Sequence, residues 1–161
     1  MGVTSDKIMR KKFINPIKRN PLFFMFFLPM SFDALLTVLG QAPEYWQNYY
    51  LVNEASPVYI VLTISPYLFL LLSALWIVGW YFLIRKLKFP FNLFFATFFL
   101  IGHSWGSSTW IKKLIFHNIL TANRSQITIY WFVLMGYFVI CAFLATLSFW
   151  EFLKQKDSYS F

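Results

Sequence analysis

Pro21-Leu-Phe-Phe-Met-Phe-Phe-Leu-Pro-Met-Ser-Phe-Asp-Ala-Leu-Leu-Thr-Val-Leu-Gly40 is the stretch that decides the fold. It holds one charged residue, Asp33, in an otherwise apolar run. A helix of about 20 residues crosses a hydrocarbon core about 30 Å thick, so this run spans a bilayer without a partner segment. Three more apolar runs follow, from Pro57 to Ile84, Phe91 to Ile111 and Ile127 to Leu153. The sequence therefore predicts an all-α integral membrane protein, a single domain built as a four-helix transmembrane bundle. The second and fourth runs exceed one crossing, which predicts tilt or a kink, with Pro66 as the kink in the second. Ser56 and Pro57 have the character of a cap and first-turn residue at its start.

Composition agrees with a lipid setting. The 161 residues are 59% hydrophobic and 12% charged, whereas soluble domains run near a half and about a quarter. The formal charge of +8 comes from basic residues placed beside the apolar runs, where they act as topology signals and headgroup contacts. A nucleic-acid partner has no soluble domain to bind. The lipid bilayer is the expected partner. Cys141, the single cysteine, lies inside the fourth run, so neither a disulfide framework nor a Cys-rich metal site is expected.

Eleven Lys and Arg fall before the first run, between the second and third, or after the fourth, and three fall on the other side. That imbalance predicts cytoplasmic N- and C-termini, with a basic segment at 1–20 and a tail at 154–161. The loop at 41–56 carries Glu44 and Glu54 and no basic residue, which suits an external position. Its Tyr and Trp residues predict a short helix lying in the membrane interface, as an anchor or as a lid over a site between the helices. A cleaved signal peptide is the alternative for the N-terminus. The first run is too long for one and contains Pro29 and Asp33, so a retained helix is expected. Met1-Gly2 followed by Asp6 lacks the hydroxyl residue of a myristoylation signal.

Asp33 costs at least roughly 2.5 kcal/mol near the bilayer centre and needs a partner. It lies about 4 Å to the external side of its helix midpoint, and His103 lies about 3 Å to the external side in the third run. The third run travels in the same direction as the first, so the two side chains share a depth. An Asp33–His103 pair would offset each group's desolvation and put an imidazole inside the membrane. Thr37 sits one turn above Asp33, and Ser107 and Trp110 continue the face of His103. The functional expectation is a polar site binding a cation, a proton or a metal ion. The structural reading of the same residues is a set of interhelical hydrogen bonds.

Gly102-His-Ser-Trp-Gly106 fits two patterns. As G-x-x-x-G it makes Gly102 and Gly106 a helix-packing surface. As G-x-S-x-G it would make Ser104 the nucleophile of an intramembrane hydrolase, but that motif works on a strand-to-helix turn, and His103 points about 100° away on the same helix. Asp33, His103 and an inward-folded Glu54 are a candidate metal set. His103 and His117, 14 residues apart, match the spacing of stacked-haem helices, yet a symmetric homodimer would have to supply the remaining ligands, so haem is not expected. An accessory subunit of a larger membrane complex is the competing class, favoured by small size, short loops and the glycine surface.

Asp33-Ala-Leu-Leu-Thr37 and Asn53-Glu54-Ala55-Ser56-Pro57 resemble a group of small prokaryotic membrane proteins carrying D-x-x-x-T and then E-x-N-P. Ser56 stands where that pattern has Asn. The resemblance covers about the first half of the chain. It implies a bacterial or archaeal four-helix protein of the cytoplasmic membrane in which Asp33, Thr37 and Glu54 belong together. It implies no activity.

Overall fold

The computed structural model describes residues 16–116 and 123–158, and those residues are mostly helical with no strand. In chain order the helices are α1 (Pro16–Arg19), α2 (Pro21–Leu39), α3 (Tyr59–Ile64), α4 (Pro66–Lys86), α5 (Phe91–Ile115) and α6 (Arg124–Ser158). Two 3-10 turns, Pro43–Trp46 and Tyr49–Leu51, lie between α2 and α3. Pro21 opens α2 in the first turn, where a missing N–H costs nothing. The side chain of Asn20 does not cap that helix. It donates to Tyr81 O on α4 at 2.7 Å, fastening the two helices at the end opposite the 41–58 loop.

Three helices are long and apolar enough to cross a membrane, namely Pro21–Leu39, Pro66–Lys86 and Arg124–Lys156. α5 has the length, at 25 residues, but His103, Ser104, Ser107 and Ser108 dilute its apolar character. Ser104 and Ser107 are buried, so part of that polarity is turned into the protein. Outward-facing residues of α4, such as Leu71, Leu75, Val78 and Phe82, are exposed and apolar, as lipid contact requires.

The second apolar run is broken rather than kinked. Ser65 is extended (φ −169°, ψ 133°), which ends α3 at Ile64, and its hydroxyl accepts from Tyr67 N and Leu68 N to cap α4. A residue preceding proline is pushed out of the helical region, and serine is a good N-cap, so Ser65-Pro66 stops one helix and starts another. The start of the run also differs from expectation. Ser56 does not cap; its N–H donates to Glu54 Oε1 at 2.8 Å, and α3 begins at Tyr59 after a turn closed by Tyr59 N to Ser56 O.

α2 is the central helix and packs against α4, α5 and α6. Its half remote from the loop lies in a cluster of Leu22, Phe23, Phe26, Met30, Trp80, Ile84 and Ala96. Trp80 and Phe99 meet edge to face at 4.4 Å between ring centres, joining α4 to α5. On the loop side of that contact α4 and α5 part, and the space between them becomes a cavity. α6 closes the other flank through Tyr137 and Cys141, which pack with Ile111, Leu28 and Leu36.

The 41–56 segment is not a single interfacial helix. Tyr45 is fully buried, and its hydroxyl donates to Leu62 O at 2.9 Å, so the segment is pinned into the bundle, while Trp46 and Tyr50 stay exposed. Gln41 continues the fastening: its Nε2 donates to Thr37 O and its Oε1 accepts from Asn53 N, each at 2.8 Å.

Candidate functional site

Asp33 and His103 meet. His103 Nδ1 is 2.8 Å from Asp33 Oδ2, linking α2 to α5. With the carboxylate ionised, and so only accepting, Nδ1 carries the hydrogen and Nε2 is the free position of the ring. The pair is about a quarter exposed, 27% for the imidazole and 22% for the carboxylate. Below it the rings of Phe99 and His103 stack at 6.0 Å, and Phe99 in turn contacts Phe26 and Trp80.

Glycine makes the approach feasible. At Gly106 a Cβ would overlap the Asp33 carboxylate, with Cγ at 2.8 Å, so α5 can carry no side chain where α2 presents its acid. Gly102 is different. Nothing lies within 4 Å of a Cβ built there, and the residue lines the cavity. The expected G-x-x-x-G packing surface is therefore one contact, at Gly106; the one-turn offset of Gly102 faces open space. Ser107 also joins α5 to α2, its hydroxyl donating to Pro29 O at 3.2 Å.

The cavity has a volume of about 760 Å³ and its wall includes Asp33, Thr37, Glu54, Gly102, His103 and Gly106. The sequence candidates Asp33, Thr37, Glu54 and His103 thus border one space, while Ser107 is fully buried at the helix contact beside it. Most of the remaining wall is apolar or aromatic, including Phe69, Trp76, Ile77, Trp105 and Trp110. Trp76 and Trp105 are 56% and 73% exposed, so the space opens sideways between α4 and α5 as well as toward the loop.

At the rim, Lys113 Nζ donates to Asn53 O at 3.4 Å and sits 3.7 Å from the centre of the Trp110 ring. Glu54 accepts from Ser56 N. Trp110 also covers Gly40, where a Cβ would press on its ring, so the end of α2, the end of α5 and the loop are locked together. Apolar periodicity could not have found Lys113 or Trp76 as part of this site, because their placement depends on the loop and on the splay of α4.

Among the described residues no three of His, Cys, Asp and Glu are grouped as a metal site. Glu54 accepts from Ser56 N within its own loop and is not grouped with Asp33 and His103. His117, and the haem spacing that depended on it, lies outside the described residues. Ser104, the serine of the G-x-S-x-G reading, is buried beside Tyr137 and Cys141 of α6 and does not line the cavity. Comparison with known families, with curated proteins and with solved structures gives no match.

Proposed function

We propose that the chain crosses the membrane four times with both ends in the cytoplasm, and that Asp33 and His103 form a binding site for a proton or small cation, open to the external side. α5 is the fourth crossing; the buried positions of Ser104 and Ser107 support this, because hydroxyls turned into protein do not meet lipid. The distribution of basic residues supports the orientation.

One observation carries the functional reading: the 2.8 Å pair forms part of a cavity wall instead of being sealed between helices. A pair kept only to hold α2 to α5 has no need of access. With a neutral imidazole the pair bears one negative charge, which an entering proton or small cation neutralises. Asp33 then holds the ring through Nδ1, and Nε2 faces exchange.

The cavity tryptophans report on this directly. Protein in nanodiscs is titrated with protons at fixed ionic strength and then with Na⁺ at fixed pH, following indole fluorescence. A transition in the wild type that is lost in Asp33→Asn and in His103→Ala is the expected result. Superimposable titrations of all three proteins would overturn the reading.

A further inference from the structure

We infer that the cavity also receives a neutral lipid with a free hydroxyl, which enters sideways between α4 and α5 and sets that hydroxyl against Nε2 of His103. This deepens the preceding proposal and rests on its premise that the pair is accessible. The first ground is size: about 760 Å³ is far more than a proton or ion needs, and falls within the roughly 300–1,000 Å³ of sites for organic ligands. The second is the wall. Phe69, Leu72, Trp76, Ile77 and Trp105 make it mostly apolar, with Asp33, His103 and Ser73 as polar groups within it and Asn53, Glu54 and Lys113 at the rim, which suits a largely apolar molecule with one polar end. The third is the sideways opening past the exposed rings of Trp76 and Trp105, which connects the space to the surface that lipid tails cover.

Depth and charge select the headgroup. Lys113 is ten residues past His103 on α5, about 15 Å farther along the axis. A phospholipid whose phosphate met Lys113 would therefore leave only acyl chain beside the imidazole. Both rim charges are already engaged, Lys113 by Asn53 O and the Trp110 face, Glu54 by Ser56 N. A phosphate pulled down to the pair, which itself bears negative charge when the imidazole is neutral, would have to be desolvated with no free cation beside it, at a cost of several kcal/mol. A hydroxyl both donates and accepts, so it satisfies Nε2 in either protonation state of the ring.

Gly102 provides the decisive variant, because it lines the cavity and a Cβ built there meets nothing within 4 Å. Gly136 on α6 is the matched control, exposed and equally free of neighbours. Full-length protein in nanodiscs is photolabelled with a diazirine-bearing hexadecanol, with hexadecanol, hexadecane or lysophosphatidylcholine as competitor. Labelling of α4 and α5 peptides around the cavity is expected, displaced about tenfold better by hexadecanol than by either other competitor. Gly102→Phe should abolish it and Gly136→Phe should leave it intact. Undiminished labelling in Gly102→Phe, or equal competition by the alkane or the lysophospholipid, overturns the inference. If labelling fails while the fluorescence titration still depends on Asp33, the lipid inference falls alone. If labelling is sharp and lost in Gly102→Phe while Asp33→Asn titrates as wild type, the proton or cation reading falls instead.

Discussion

The hydroxyl of Tyr45 occupies the carbonyl of Leu62, 2.9 Å away, in the last turn of α3. That carbonyl is exposed to need by the extended Ser65 and by Pro66, which has no N–H and lets no helix continue across it. A tyrosine from one segment thus completes the backbone of another, and α3 is held over the cavity.

Tyr45→Phe keeps the ring and strips the donor. Leaving a buried carbonyl unpaired costs about 1–3 kcal/mol, so unfolding in mixed micelles should shift by that much. The same change made on a Pro66→Ala background should cost less, because an unbroken helix supplies an amide to Leu62 O. A double-mutant cycle with no coupling would contradict this account.

Burial, with a smaller contribution from Tyr49, pushes the Tyr45 phenol above its ordinary value of 10.0. A raised acid in the folded state favours the neutral form. The docking contribution is therefore complete below the ordinary tyrosine value and declines as pH rises through the folded one. Protease sensitivity of the 41–58 loop should stay flat through neutral pH and rise only in strong alkali, with Tyr45→Phe showing no alkaline rise of its own.

Gly106→Ala and Gly102→Ala separate two glycines four residues apart. At 106 the methyl group collides with Asp33, and overpacking of this kind costs about 1–3 kcal/mol. At 102 the methyl group meets nothing, and stability should be unchanged or slightly raised by the better helix propensity of alanine. Thermal unfolding of the two variants side by side checks the difference.

Nitrogen NMR of histidine-labelled protein should find His103 with its hydrogen on Nδ1. Asp33→Ala removes the acceptor and should let the ring redistribute between tautomers, whereas Asp33→Asn, which keeps an acceptor oxygen, should preserve the Nδ1–H form in part. An unchanged His103 signal in Asp33→Ala would mean that the carboxylate does not orient the ring.

Orientation is open to a direct measurement. Thr109 lines the cavity and Cys141 is buried, so Thr109→Cys on a Cys141→Ala background presents one reachable thiol among the described residues. A membrane-impermeant maleimide should label it in right-side-out vesicles and not in inside-out ones.

Much of the fold was legible in the chain because lipid imposes a length. The apolar run from Pro21 to Gly40 became α2, ending at Leu39, and the run from Phe91 became α5. The meeting of Asp33 and His103 was legible as depth, since rise per residue places both side chains on one level. Rotation about each axis was not, and this is why Gly102 and Gly106 looked alike in the sequence but face open space and a carboxylate. Ser65 reads as an ordinary hydroxyl; its role as a second helix start follows from the proline after it. Tyr45 reads as an interface residue because tyrosines usually are, and only the orphaned carbonyl of Leu62, a tertiary matter, draws it inside. The apolarity of α5 fell below that of its neighbours for a similar reason, since Ser104 and Ser107 are turned into the protein and Ser107 is matched to Pro29 O of α2.

The ring layer formed by Phe26, Trp80 and Phe99 lies directly under the Asp33–His103 pair. It gives the space above a floor. What enters past the loop or sideways between α4 and α5 finds no way onward in this conformation, so the molecule is a bay and not a tunnel, and passage to the far side would require three interlocked rings to move together.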